Sequence, residues 1–371
     1  MKVLFVILFG LAAVGPCALA GPLDTWTSQV SGTTNNLNAI IYALPTYVAV
    51  GNGGTILTSS NGVDWVLQNS GTTNNLYGIT WANGLFVAVG QGLVLTSPDG
   101  VDWAAHLYPT LTLYSVTCGD GLLAAVGASG VIRTSPDGTN WAAQVSGTSA
   151  AIRAITYGKG RFLATGASIL MSTNGINWVN VSLRNGLWAD IFADGQFVAV
   201  GGYVPIAAGA FIFSSPDGTN WTTQSVGGGL YNFYGITWGN GSFVTVGGPG
   251  GMGGGAIWSS SDAVNWAVRL TNANPTFLGV TYGNGYFVVV GSNGAILQSG
   301  PIFSLAGEIQ SGSGFQVALT GQIGCGYHLQ TSTDLANWTN LVNFTNTAET
   351  MLYLDTDATN YPWRFYRAIS P

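Results

Sequence analysis

Charge is scarce in this sequence. Only 6% of its 371 residues are charged, and 9 Lys and Arg stand against 15 Asp and Glu, a formal net charge of −6. Phosphate neutralisation needs clustered Lys and Arg, so a nucleic-acid partner is excluded. Glutamate is absent before Glu308, and only Glu349 follows it; the histidines are His106 and His328 alone. The cysteines are Cys17, Cys118 and Cys325. Cys118 and Cys325 fall in different predicted domains and read as buried free thiols rather than as a disulfide or a metal pair. No apolar run after residue 20 is long enough to span a bilayer.

A chain so poor in charge would be disordered if apolar residues were scarce too, but 47% hydrophobic and 12% aromatic residues supply a core. The opening "MKVLFVILFGLAAVGPCALA" (1–20) has a basic start at Lys2, a short apolar stretch and a small-residue "ALA" end. That is the pattern of a secretory signal peptide, which predicts a secreted, periplasmic or cell-surface protein without a membrane span. Gly-rich turns between short apolar runs predict an all-β fold.

Internal repetition organises the chain. "LYGITWANGLFVAVG" (76–90) returns as "LYSVTCGDGLLAAVG", "IRAITYGKGRFLATG", "LWADIFADGQFVAVG", "FYGITWGNGSFVTVG" and "FLGVTYGNGYFVVVG", with a looser copy, "LNAIIYALPTYVAVG", at 37–51. The closing glycines are Gly51, Gly90, Gly127, Gly166, Gly201, Gly247 and Gly291, spaced 35 to 46 residues apart. Each unit parses into four short strands. Tight turns holding Asn83, Asp120, Asp194, Asn240 or Asn284 join the first two, because Asn, Asp and Gly tolerate positive φ. Four strands per such period predict a β-propeller of seven blades. The last unit lacks its fourth strand, and "DTWTSQVSG" (24–32) is expected to supply it, closing the ring.

A second motif, "TSPDGVDW" (96–103), recurs as "TSPDGTNW" and "SSPDGTNW". Asn61, Asp99, Asp137, Asn174, Asp217 and Asp262 each precede a tryptophan by four residues: Trp65, Trp103, Trp141, Trp178, Trp221 and Trp266. Asn replaces Asp in two copies, which suits hydrogen bonding to the turn's own amides and suits neither an acid catalyst nor a metal ligand. These residues are assigned a structural role, with each Trp packed between blades.

The motif resembles the Asp-box (BNR) repeat of sialidase-like propellers and the repeats of Ycf48-like photosystem II assembly factors. Those families commonly carry one more residue between the Asp and the Trp, so the match is to a related repeat. The resemblance implies a propeller; the sialidase comparison implies three carboxylate-clamping arginines, a Tyr activated by a Glu, and an acidic Asp. The repeat region has no Glu, and Arg153 and Arg161 start successive strands and point to opposite ends. No Ser-His-Asp set is present either. The chain is therefore read as a non-enzymatic, monomeric binding protein without a cofactor. The alternatives are a sialidase-like glycan-processing enzyme and an extracytoplasmic assembly factor, which would need a basic patch.

Departures from the repeat give the candidate site. Asp190 stands where the other units have Ile40, Ile79, Val116, Ile155, Ile236 and Val280. A lone carboxylate there needs a partner; Arg153 and Arg133 are the cations expected near it, as a structural ion pair or a ligand-contacting patch. Variable loops at 201–211 and 247–256 mark one face, and binding usually resides on such loops. Tyr203, Tyr231, Phe233, Trp188, Arg184 and His106 are expected on that side, facing a glycan or an extracellular protein. Residues 301–371 read as a small β-sandwich, following a propeller over 21–300. Within it "DTDATN" groups Asp355 and Asp357 as a weak calcium candidate, with a solvated turn preferred and no metal assigned; His328 has no role.

Overall fold

The computed structural model describes residues 23–182, 186–202, 210–225, 231–249, 254–300, 304–310, 314–320, 326–345, 347–348 and 350–369. The predicted signal peptide, Cys325 and Glu349 lie outside them. The chain divides into two compact units, one comprising Trp26–Gly283 and Phe287–Gln298, the other Met1–Thr25, Asn284–Tyr286 and Ser299–Pro371.

The larger unit is built from antiparallel sheets. Leu37–Ala43, Thr46–Gly51, Ile56–Ser59 and Val66–Gln68 form the first, in chain order. Sheets of the same order begin at Ile152–Gly158, Leu187–Ala193 and Tyr231–Gly239. The repeats beginning at Leu76 and Leu113 instead share one six-stranded sheet. There Leu85–Ser97 is a single strand of 13 residues, and Ala104–Gly119 runs unbroken from one repeat into the next. Gln91 pairs with Thr112, so the connection between the two repeats zips into the ladder instead of forming a loop. The last sheet has the order Trp26–Gln29, Ile296–Ser299, Tyr286–Gly291, Phe277–Gly283, the N-terminal strand filling the outer position.

The second strand of each repeat is a nearly continuous apolar run because both of its faces are covered. Val48, Val50 and Ile56 pack on Leu76, Phe86, Ala88, Leu93 and Leu95 of the next sheet. Ile40, Tyr47, Ala49 and Leu57 pack on Val288, Val290 and Ile296 of the last sheet. The Tyr47 hydroxyl donates to the Gly283 carbonyl, and Gln298 Nε2 donates to the Asn61 carbonyl at 2.9 Å, so the last sheet is bonded to the first. Asn83, Asp120, Lys159, Asp194, Asn240 and Asn284 all have φ between 44° and 53°, the left-handed geometry expected of the tight turns.

In the smaller unit two three-stranded sheets share one core. Ser304–Gln310, Gly314–Thr320 and Thr350–Asp355 form one; Thr339–Thr345, Gly326–Ser332 and Phe365–Ile369 form the other. Phe315, Val317 and Leu319 from the first meet Tyr327, Leu329 and Tyr366 from the second.

Candidate functional site

The repeated aspartates are hydrogen-bonded within their own turns. Asp137 Oδ1 accepts from the amides of Thr139 and Asn140 at 2.8 and 2.9 Å, and Oδ2 accepts from Asn140 Nδ2 at 2.9 Å. Ser135 Oγ donates to Asp137 and accepts from the Gly138 amide, while Trp141 Nε1 donates to the Gly138 carbonyl at 2.9 Å. The Asn140 amide is the largest influence holding the Asp137 carboxyl well below the usual carboxylate range. Asn174 accepts the same two backbone bonds, from Ile176 and Asn177 at 3.0 and 2.9 Å, through an uncharged amide oxygen. Asn61, Asp99, Asp217 and Asp262 repeat the pattern, and Trp65, Trp103, Trp178 and Trp221 repeat the indole bond. The Trp266 indole nitrogen has no partner.

The same turn occurs in the smaller unit, where sequence reasoning missed it. Asp334 accepts from the amides of Ala336 and Asn337, and Trp338 Nε1 donates to the Leu335 carbonyl at 3.1 Å. Leu335 takes the glycine position at φ 64°, which hides the motif from a search for Asp-Gly.

A cavity of about 430 Å³ is rimmed by Asn38, Tyr77, Tyr114, Arg153, Trp188, Tyr234 and Leu278. Each is the second residue of its repeat. Register shifts fall on Asn38, Tyr77, Tyr114, Arg153, Trp188 and Tyr234, so each is the extra residue of a β-bulge. A bulge re-aims a side chain that would otherwise alternate into the sheet. It also explains the closing glycine of each repeat, which faces the bulged backbone: a Cβ on Gly127 would stand 2.0 Å from the Thr112 carbonyl oxygen.

These side chains form a continuous arc. Tyr77 meets Tyr114 edge-on, with ring centroids 5.6 Å apart, and Trp188 meets Tyr234 at 5.4 Å. The Arg153 guanidinium bridges the two pairs, 4.8 Å from the Tyr114 ring centre and 4.4 Å from that of Trp188. Such stacking holds a guanidinium without using its N–H donors. A smaller cavity of about 170 Å³ shares the collar residues and is lined in addition by Ile40, Ile79, Asp190, Ile236 and Val280.

The expected ion pair at Asp190 is not formed among the described residues. Asp190 Oδ2 accepts from Thr165 Oγ1 at 2.7 Å, and Oδ1 is sealed from solvent without a partner. Burial, opposed only by the Thr165 bond, pushes the carboxyl up to about 7. Arg153 is engaged by aromatic faces instead, and Arg133 keeps a buried, unpartnered Nε.

Of the other predicted site residues, Trp188 joins Arg153 and Asp190. Phe233 does not: it is 0% exposed and packs in the core with Phe243 and Trp258. It is the buried first residue of its repeat, equivalent to Leu76, and the adjacent Tyr234 faces the cavity. His106 Nε2 is hydrogen-bonded to Thr96 Oγ1 at 3.0 Å across its own sheet, away from the collar. Arg184, Tyr203 and the Tyr231 side chain lie outside the described residues. Asn38, Tyr77, Tyr114, Tyr234 and Leu278 were missed, although their shared position in the aligned repeats marked them as one ring.

The calcium candidate is also corrected. Asp355 is 2% exposed, not a solvated turn residue. Its Oδ2 accepts from Arg364 Nε at 2.6 Å and from the Tyr366 hydroxyl at 2.8 Å, and its Oδ1 accepts from the Asp357 amide at 3.1 Å. A cation is therefore already supplied by the protein. His328 Nδ1 is hydrogen-bonded to Asn343 Oδ1, and Cys118 is a half-buried free thiol whose burial raises its pKa. Among the described residues no helix is long and apolar enough to cross a membrane.

No protein family and no curated protein matches the sequence. Solved structures do. YCF48 from Cyanidioschyzon merolae matches 74% of this chain over 98% of its own length, with a TM-score of 0.58 and 16% identity. The WD40 β-propeller domain of Doa1 matches 74% of this chain over 97% of its own, with a TM-score of 0.56 and 15% identity. The extracellular domain of a one-component system from B. thetaiotaomicron matches 86% of this chain over 53% of its own, with a TM-score of 0.55 and 9% identity. At these identities the likeness is one of fold alone, and that fold is the β-propeller.

Proposed function

We propose that this is an exported, non-enzymatic propeller that binds a glycan at the mouth of its central channel. The architecture in this reading is seven blades of four strands over residues 21–300. A cleaved leader (1–20) precedes them and a small β-sandwich (301–371) follows. The collar of Tyr77, Tyr114, Arg153, Trp188 and Tyr234 carries the proposal: aromatic surface and polar groups converge there on a cavity large enough for a sugar residue. A concave aromatic-rimmed cavity suits a glycan end better than the broad surface of an extracellular protein. The closing glycines Gly201 and Gly247 pair with Leu187 and Phe233, the residues next to Trp188 and Tyr234 of the collar.

The absence of turnover is part of the proposal. Among the described residues Asp190 is the only carboxylate lining either cavity, and hydrolysis of a glycosidic bond by the common route takes two. Glycan-array screening of the full chain, repeated with Trp188→Ala and Tyr77→Ala, tests the reading. Hits that weaken at least about tenfold in both variants, with no release from fluorogenic glycosides, are expected. An array without hits, or hits indifferent to both changes, would refute it.

A further inference from the structure

Asp190 is a side chain without its counterpart. Beside Ile40, Ile79, Ile236 and Val280 the half-buried Asp190 lines the smaller cavity, and its Oδ1, nearly closed off from solvent, has no partner among the described residues. The titratable and charged groups facing that cavity are Arg153, Tyr77, Tyr114 and Tyr234. None forms a hydrogen bond or ion pair with the carboxylate. Arg153, the nearest thing to a counter-ion, is clamped between Tyr114 and Trp188. A buried carboxylate in this position is stabilised by a donor arriving from outside, and a cationic donor gives the largest gain because it also restores the charged form. The chain's net charge of −6 favours approach of a cation and opposes that of an acidic glycan.

We propose that the smaller cavity takes the free ammonium of an amino sugar, with Asp190 as its counter-ion and the aromatic collar around the sugar ring. Resting on the glycan reading, this names the glycan as a cationic, unacetylated hexosamine chain. The smaller cavity, of about 170 Å³, has room for an ammonium and its carbon, and an acetamide nitrogen carries no charge with which to offset the carboxylate. The N–H donors of Arg153, unused in hydrogen bonds among the described residues, are left for the hydroxyls of the same sugar.

The test is titration calorimetry of the full chain with three oligosaccharides of equal length: β-1,4-glucosamine, its N-acetylated form, and β-1,4-glucose. Wild type is expected to bind the glucosamine oligomer at least about tenfold more tightly than either of the others. Asp190→Asn, nearly isosteric, should erase that preference, whereas Arg153→Gln should preserve or strengthen it. Because binding would ionise Asp190, the wild-type enthalpy near pH 7 should also vary with the ionisation heat of the buffer, a readout that needs no variant. Equal binding of the three oligomers, or a preference surviving Asp190→Asn, overturns the amine assignment and leaves the glycan reading standing. Binding of none of them, with array hits elsewhere, does the same; an empty array removes the glycan reading itself.

Discussion

Replacing Asp190 with the isoleucine found at its position in other repeats should change how stability depends on pH. Burial moves this carboxyl from 3.8 to about 7. At about 1.4 kcal/mol per pH unit, that displacement is worth about 4 kcal/mol. A carboxyl whose folded value lies above its unfolded one contributes stability that is complete below about 3.8. The contribution is lost as pH rises towards 7 and changes no further above that. Asp190→Ile removes the dependence and adds a buried side chain among Ile40, Ile79, Ile236 and Val280. The variant should therefore melt above wild type at pH 8, and the gap should shrink steadily down to pH 4. For a unit of this size about 4 kcal/mol corresponds to a change in the gap on the order of 8 °C. Thermal melts of both proteins in half-unit steps from pH 4 to 8 measure it, and the difference between them cancels the titration of every other group. A gap that stays constant across the range would show that Asp190 is solvated or paired, and the counter-ion argument would go with it.

Three further outcomes follow from the fold. Gly127→Ala should destabilise severely, by more than about 3 kcal/mol, because its Cβ would press on the Thr112 carbonyl. Gly84→Ala meets nothing and should cost only the about 1–2 kcal/mol of a left-handed alanine; urea melts separate the two. Asp355→Asn should lower the stability of the smaller unit by about 3–5 kcal/mol, since it leaves buried Arg364 uncompensated, while excess calcium or EDTA leaves the wild-type melting curve unmoved. Trp141→Ala, at 8% exposure, should cost about 3–5 kcal/mol, and Asp137→Asn less than Asp137→Ala, because Asn174 shows that an amide oxygen keeps both backbone bonds.

What the sequence reveals here divides by the range of the interaction. The Ser-Asp-Trp turn was legible because all its bonds lie within seven residues, so residue type and spacing determine it. Even so, its copy at Ser332–Trp338 escaped notice once Leu335 replaced the glycine. Strand order was legible from the repeat, but the continuous six-stranded sheet was not: it depends on Gln91 finding Thr112, a pairing no local pattern announces. The site lay between these cases. Asp190 stood out because it breaks a column of the repeat, Arg153 as the cation expected near it and Trp188 as an aromatic on the side of the variable loops, whereas Tyr77, Tyr114 and Tyr234 conform to their column and drew no attention.

That last failure has a physical cause. Strand alternation places Leu76 and Gly78 on one face and Tyr77 on the other, which gives no reason to expect Tyr77 on a channel. The bulge supplies the reason, and the bulge is written in a different place, at the closing glycine that meets its backbone fourteen residues later. The glycines and the collar are thus one device: the first permit the close approach, the second is what the approach points inward. A duplicated unit keeps the glycine to stay folded and is free to vary the residue it aims. In that sense the collar, with Asn38, Arg153, Trp188 and Leu278 among its tyrosines, is where the repeats could diverge toward a ligand without losing the ring.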